Sequence, residues 1–372
     1  MKVNIFHIVS NTYWGGQEEY AYQLLSRLIG DARFYAEVIC KKTPTVLQHF
    51  RRLDVPISIL PLKGMTDIDT PKRMARMLKK GTNIIHVHTL TDALGAIMAR
   101  RFSGNRDTRI IISLHGIRHP KNNIVYRRLC RAIDRFVFAS ELACREWCDD
   151  APWFDRSKAC VVRESVADNP FAHPAPDLRV QLAIPPHKVL IMFHGRLSHE
   201  KGLDTLIKAV TQLDKDIYHL VIIGDGNPKY LTEIKGIIVA NQLVRNVTLL
   251  GFQEDIAHLV SQCDIGVLPS IEPEALGIAN LEYMRAARPH ITTDNGAQRE
   301  YARDRENAII VPPDNHRALA AALVELINDP ALRQRLGVQA HDDFERNFNY
   351  NTFYRNITDI YLNPEDKQDT AK

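Results

Sequence analysis

Two carboxylates eight positions apart, Glu274 and Glu282, stand in the stretch 270–282, SIEPEALGIANLE. The apolar run Ile265-Gly266-Val267-Leu268-Pro269 before it reads as a buried strand, and residues 277–284 read as the start of a helix. Glu274 then sits in a strand-to-helix loop and Glu282 inside the helix. At about 1.5 Å of rise per residue, the helical part separates them by roughly 8–10 Å. One compact group cannot be gripped by both, whereas an extended molecule with hydroxyls at its two ends can. Between them lies the helix N-terminus, whose free N–H groups and positive dipole end favour a phosphate. Acids are common near helix starts, so either glutamate alone also reads as an ordinary surface residue.

A second constellation is cationic. The run 189–193 reads as a strand and ends at His194-Gly195-Arg196; after Ser198-His199-Glu200-Lys201-Gly202, residues Leu203, Leu206, Ile207, Val210 and Leu213 trace one helical face. Arg196 and Lys201 therefore flank a strand-to-helix turn, where two cations can neutralise a diphosphate and stabilise it as a leaving group. The alternative is a pair of solvated loop residues. In the first half, the loop 10–18 (SNTYWGGQE) carries two adjacent glycines before a helix, which let the backbone approach a ligand closely or simply start the helix. It is not the G-x-G-x-x-G fingerprint of dinucleotide enzymes. His115 stands at the end of an apolar run. His86 and His88 share one strand face; no third metal ligand accompanies them, and packing with local hydrogen bonds is the favoured reading. Asp67-Ile68-Asp69 is a short D-x-D match in a loop without supporting context, taken as chance.

These residues need a frame that carries loops to a common edge. Apolar runs at 3–9, 36–40, 57–62, 84–87, 109–114, 136–139 and 159–162 alternate with helical segments such as 18–28 and 92–101. Several are near-continuous Val and Ile, as in parallel strands buried on both faces. A second set follows at 189–193, 220–223, 247–250, 265–268 and 291–293, after a Pro- and Ala-rich connection, 167–186. Two doubly wound α/β domains are predicted, with ligands at the carboxyl ends of the strands. The 372 residues suit two domains, and an apolar share of 45% with a charged share of 25% is that of a globular protein. No apolar run approaches a membrane span. The N-terminus reads as a strand rather than a signal peptide. Six scattered cysteines form no C-x-x-C pair, so neither zinc nor disulfides are expected, and a reducing cytoplasm fits.

The pattern Glu274-Ala275-Leu276-Gly277 followed by Glu282 resembles the E-x7-E motif of the family-4 retaining glycosyltransferases, with Pro269-Ser270 and Pro289 fitting the same pattern. GRLSHEKG, 195–202, resembles that family's phosphate-binding G-R-L-x-x-x-K-G, and Gly15-Gly16-Gln17-Glu18 its glycine loop at the interdomain cleft. The resemblance covers nearly the whole chain, closely from about 189 to 312 and loosely before. It implies the GT-B fold: two Rossmann-like domains facing each other across a cleft, residues 1–168 reading the acceptor and 169–347 the nucleotide sugar, with a helix in 348–372 crossing back to the first. It also implies that Glu282 holds ribose hydroxyls and Glu274 donor-sugar hydroxyls, that Arg196 and Lys201 hold the diphosphate, and that Ala275, Leu276 and Gly277 line the donor site. Gly15 and Gly16 would close over the phosphate, and the base would lie against Gly251-Phe252, although Phe252 is equally a core candidate. His115 would hydrogen-bond the donor sugar and support charge at the anomeric carbon. Glu164-Ser165 departs from the family's usual Asn-Gly pair, and Ala287 from its usual Gly.

The activity so implied is metal-independent, retaining transfer from a nucleoside-diphosphate sugar, UDP before GDP, to a glycan or glycolipid in surface-polysaccharide or lipopolysaccharide synthesis, with no cofactor and no nucleic-acid partner. A sugar-nucleotide epimerase and a non-catalytic paralogue are the other classes; the latter usually lacks one of the four donor-site charges, all present here. Residues 1–168 hold 27 Lys and Arg against 17 Asp and Glu, and the rest 21 against 27, so a basic half precedes an acidic one. Lys72, Arg73, Arg76, Lys79 and Lys80, and then Arg127, Arg128, Arg131 and Arg135, flank apolar faces, the reading of helices lying on an anionic inner membrane surface.

Overall fold

The structure is a computed structural model and describes residues 2–64, 66–78, 80–167 and 177–363. The chain divides into two compact units, Met1–Arg163 with Asn351–Lys372, and Glu164–Tyr350. Much of the 167–186 connection, Lys79 and the tail after Asn363 lie outside the described residues.

The first unit is built on seven strands: β1 (Val3–Val9), β2 (Phe34–Cys40), β3 (Ile57–Ile59), β4 (Asn83–Val87), β5 (Thr108–Leu114), β6 (Arg135–Phe138) and β7 (Ala159–Val161). They form one sheet in the order β3-β2-β1-β4-β5-β6-β7, and every pairing is parallel. Ile84, Ile85, Ile110, Ile111 and Ile112 are fully buried whichever face they address, because crossover helices cover both sides. The order reverses between β1 and β4, so the ends of those two strands open a crevice at the sheet's carboxyl edge.

The second unit repeats the scheme with β8 (Val189–His194), β9 (Tyr218–Ile223), β10 (Val247–Gly251), β11 (Ile265–Leu268), β12 (His290–Thr293) and β13 (Ile309–Val311). The order is β10-β9-β8-β11-β12-β13, again all parallel. Its reversal falls between β8 and β11. These are the strands that feed the cationic loop and the Glu274 loop. The core is Ile191, Phe193, Leu206, Ile222 and Val267 with the helices that cover them.

The helix Tyr350–Leu362 belongs, from Asn351 on, to the first unit. Phe353, Ile357, Ile360 and Tyr361 are its buried face. Tyr361 Oη lies 3.2 Å from His7 Nε2 and 2.6 Å from His86 Nδ1, and Tyr354 Oη donates to Asp31 at 2.9 Å.

Three local readings change, and the structure accounts for a fourth position. The strand expected to run to 62 stops at Ile59: Pro61 has no N–H to give, and Leu62 takes a left-handed φ of 46°. β13 is an unanticipated edge strand of only three residues between Asn307 and Pro312. Arg135 is not part of a basic helix face; it opens β6, is buried, and its Nη1 donates to Ser157 O at 2.7 Å. Ala287, standing where a glycine is usual, keeps a glycine-like φ of 53° at the end of the helix Ile278–Arg285, a conformation that costs a residue with a Cβ about 1 kcal/mol.

Candidate active site

In the second unit, the loops after β8 and β11 are laced by backbone. Glu200 O accepts from Ile271 N at 2.8 Å and from Glu272 N at 3.2 Å. The contact is close enough that a Cβ on Gly202 would stand 1.9 Å from Pro269 O, and Gly202 itself has φ +69°. This docking sets the central pair: Lys201 Nζ donates to Glu274 Oε1 at 2.5 Å, with the two side chains 21% and 13% exposed. Ser270 Oγ donates to the same oxygen at 2.5 Å. Behind them, Glu274 O accepts from Ala297 N at 2.9 Å, and Tyr301 Oη donates to Leu276 O at 2.7 Å, which holds the buried Ala275-Leu276 turn.

Glu282, one face further along the helix Ile278–Arg285, has its Oε2 3.3 Å from His194 Nδ1. Burial pushes the His194 imidazole down to about 4, so the ring that touches Glu282 is neutral near pH 7. Arg196 is not brought to Glu274. It is 69% exposed and reaches Glu200 Oε1 at 3.2 Å. Gly251 takes φ +73° at the end of β10 and accepts from Gly224 N at 2.9 Å; Phe252 is 48% exposed and so not a core residue.

The helix starts differ in a way that matters for anions. Thr89, Asn123, Ser140, Asn227, Asp255, Asn315 and Asp329 each cap a helix with a side-chain oxygen. The helices Gly16–Leu28, Leu203–Val210 and Ile278–Arg285 instead begin from Gly15, Gly202 and Gly277, with no side-chain cap. At these three starts no N-cap side chain takes the first N–H groups. Those three helices follow the three segments singled out by motif.

In the first unit, Glu18 lies buried under the glycine loop, its Oε1 accepting from Asn11 Nδ2 at 2.7 Å; desolvation raises its pKa against that bond. A Cβ on Gly16 would meet nothing within 4 Å, so local packing does not demand that glycine. His115 follows β5, with its Nε2 2.9 Å from His88 Nδ1. Asp67 is spent on the start of the helix Asp69–Met77, accepting from Lys63 N at 2.8 Å, Thr70 N at 3.0 Å and Thr70 Oγ1 at 2.6 Å, and Asp69 pairs with Arg73 at 2.8 Å. Among the described residues no three His, Cys, Asp or Glu side chains gather as a metal site, and none of their helices is long and apolar enough to cross a membrane.

Sequence reasoning passed over Ser270, His194, His88 and Tyr301 as supports of the site. The first three stand at strand carboxyl ends, a position that marks them. Tyr301 carries no such signal, since its role depends on the fold alone.

Two all-parallel doubly wound units, each with its motif loops at the sheet's reversal, define the GT-B fold. The description Glycosyltransferase Family 4 matches residues 14–167 and Glycosyl transferases group 1 matches 175–343. The chain belongs to the GT-B glycosyltransferase group 1 family. It is 33% identical over 155 residues to the alpha-D-kanosaminyltransferase of Streptomyces kanamyceticus, covering 41% of this chain and 39% of that one. It is 28% identical over 184 residues to the lipopolysaccharide core biosynthesis glycosyltransferase LpsE of Rhizobium meliloti, covering 50% and 52%. The matched stretch thus spans about half or less of these curated relatives' length. In fold the chain is similar to Anabaena Alr3699/HepE, solved with UDP and glucose: TM-score 0.83, 18% identity, 96% of this chain and 99% of that one.

Proposed function

We propose that the protein transfers a sugar, with retention and without a metal, from a nucleoside-diphosphate sugar to a glycan or lipid-linked acceptor. The observation that carries this is the Lys201–Glu274 pair, set beside two glycine-started, side-chain-uncapped helices. In this structure the two charges satisfy each other. A bound diphosphate would compete for the Lys201 ammonium and for the helix N–H groups, freeing Glu274, still held by Ser270, to accept from sugar hydroxyls. Arg196 would turn from Glu200 to the diphosphate, its exposure leaving it free to move. Glu282 would take the ribose hydroxyls, and Gly251-Phe252 the base. His115 would contact the donor sugar and support charge developing at the anomeric carbon. The acceptor hydroxyl would attack on the face the diphosphate leaves, with a phosphate oxygen as base. UDP is preferred because the similar Anabaena structure holds UDP and glucose, and a surface-glycan acceptor because relatives include a lipopolysaccharide core enzyme.

A panel of UDP- and GDP-sugars tested for thermal stabilisation, hydrolysis and transfer decides the reading. A ligand at 100 times its Kd adds about 2.7 kcal/mol, a shift readily seen in the melting curve. Turnover is expected to persist in EDTA and in Asp67→Ala/Asp69→Ala. Absence of any shift with millimolar sugar nucleotide would end the donor assignment, strict dependence on Mn²⁺ or Mg²⁺ the metal-independent one, and an epimerised sugar without transfer would favour the epimerase.

We further propose that the first unit rests on an anionic membrane surface. In the helix Ile124–Ala132, Ile124 and Val125 are 66% and 73% exposed beside the exposed Arg128 and Arg131. Arg127 is less available, since it stacks over Trp153 and bonds Asn122. Each exposed cation near such a surface is worth about 1 kcal/mol. Sedimentation with anionic liposomes at low salt is expected to carry the protein down, and Arg128→Gln/Arg131→Gln with Ile124→Ser/Val125→Ser to release it. A wild type that stays in the supernatant would leave a soluble acceptor as the better reading.

A further inference from the structure

We propose that His88 fixes His115 in a single tautomer, the one with its proton on Nδ1, and is thereby a positioning residue for the site; its catalytic consequence rests on His115 being the donor-sugar contact. The two rings follow neighbouring parallel strands, β4 and β5. Their centroids are 5.1 Å apart and His88 Nδ1 lies 2.9 Å from His115 Nε2. One of these nitrogens must carry the shared proton. His88 is 5% exposed, and its other nitrogen, Nε2, is buried without a hydrogen-bond partner. A proton on that Nε2 would leave a buried N–H with nothing to donate to, the rarer and costlier kind of orphan. With the proton on Nδ1, only an unprotonated ring nitrogen goes unmatched. His88 therefore donates, His115 Nε2 accepts, and the His115 proton sits on Nδ1.

The surroundings support neutral rings with assigned protons. His7, His86 and Tyr20 pack on His88, with centroids at 5.7, 4.9 and 5.6 Å. Burial holds His86 and His88 well below the ordinary histidine range, and the neighbouring rings add to it. His7 also has a partnerless buried nitrogen, Nδ1, so by the same argument its Nε2–H donates to Tyr361 Oη. Tyr361 then donates to His86 Nδ1, and His86 Nε2–H to Ser113 Oγ at 2.8 Å. His86, in β4, and His88, just past its end, thus hold opposite tautomers. Sequence reading took His86 and His88 as residues of packing and local hydrogen bonds; one of those bonds sets which atom of His115 can donate.

Nitrogen-15 NMR of the histidine-labelled full chain reads this directly. The expected pattern is a pyrrole-type Nδ1 and pyridine-type Nε2 for His115 and the reverse for His86. His88→Asn places an amide N–H where Nδ1 was and should preserve the His115 pattern, with kcat within about threefold of wild type. His88→Asp offers only an acceptor, should move the His115 proton to Nε2, and should lower kcat by about tenfold or more with little change in KM for the sugar nucleotide. A wild-type His115 protonated on Nε2 would overturn the assignment, as would equal losses in the Asn and Asp variants. Transfer unaffected by His115→Ala would overturn the catalytic consequence alone, since the spectrum decides the tautomer independently of any activity.

Discussion

Lys201→Ala is expected to lower kcat/KM for the sugar nucleotide by roughly 10- to 150-fold, the loss of one charge-assisted hydrogen bond worth about 1.5–3 kcal/mol. Two effects act together. The diphosphate loses a cation that is held close to the site by its pairing with Glu274. Glu274, 13% exposed, keeps only the Ser270 hydroxyl on its Oε1, so its carboxylate loses the partner that fixes it. Arg196→Ala should also impair turnover, but without the second effect, because Arg196 pairs with the exposed Glu200 rather than with Glu274. Lys201→Arg is not a conservative control here, since a planar guanidinium does not fit where a compact ammonium reaches one carboxylate oxygen. Steady-state kinetics on the three variants tests the assignment. Turnover within about twofold of wild type in both alanine variants would remove the diphosphate role from this loop.

Gly202→Ala is expected to cost about 3 kcal/mol or more, seen as a lower Tm and loss of sugar-nucleotide stabilisation. Gly202 stands at φ +69°, and a Cβ there would lie 1.9 Å from Pro269 O, a backbone atom that cannot rotate away. The substitution must part the two loops, and with them Lys201 from Glu274. Gly236→Ala is the matched control. That residue is inside the helix Pro228–Ala240 and its Cβ would meet nothing within 4 Å, so alanine should stabilise by about 0.5–1 kcal/mol. Differential scanning calorimetry of both variants gives the comparison. A Gly202→Ala melting point equal to wild type would mean that the loops are not held as tightly as their contact implies.

The strands were legible because parallel strands buried on both faces must be near-continuous in Val and Ile, and such runs announce themselves. The helices read from 18 and from 277 begin at Gly16 and Ile278, within two residues of where the pattern put them. What failed was short or set by neighbours. β13 has three residues, too few for a pattern, and β3 ended early at a proline and a left-handed leucine. Arg135 read as one more cation of a helix face, yet the chain turns into β6 there and buries the residue against Ser157 O.

The sequence by itself determined the two doubly wound sheets, the loops that end their strands, and the charged residues in those loops, because each depends on residues within about a dozen positions. Only the tertiary structure decided which loops meet. Lys201 and Glu274 are 73 positions apart, and they pair because β8 lies beside β11 while β9 and β10 are laid on the other side. The same holds for His88 and His115, brought together by β4 and β5, and for Tyr301, which reaches back to Leu276. No local pattern encodes such partners: strand order is chosen by how helices cover both faces of the sheet, and the side chains at its edge take the neighbours that order supplies.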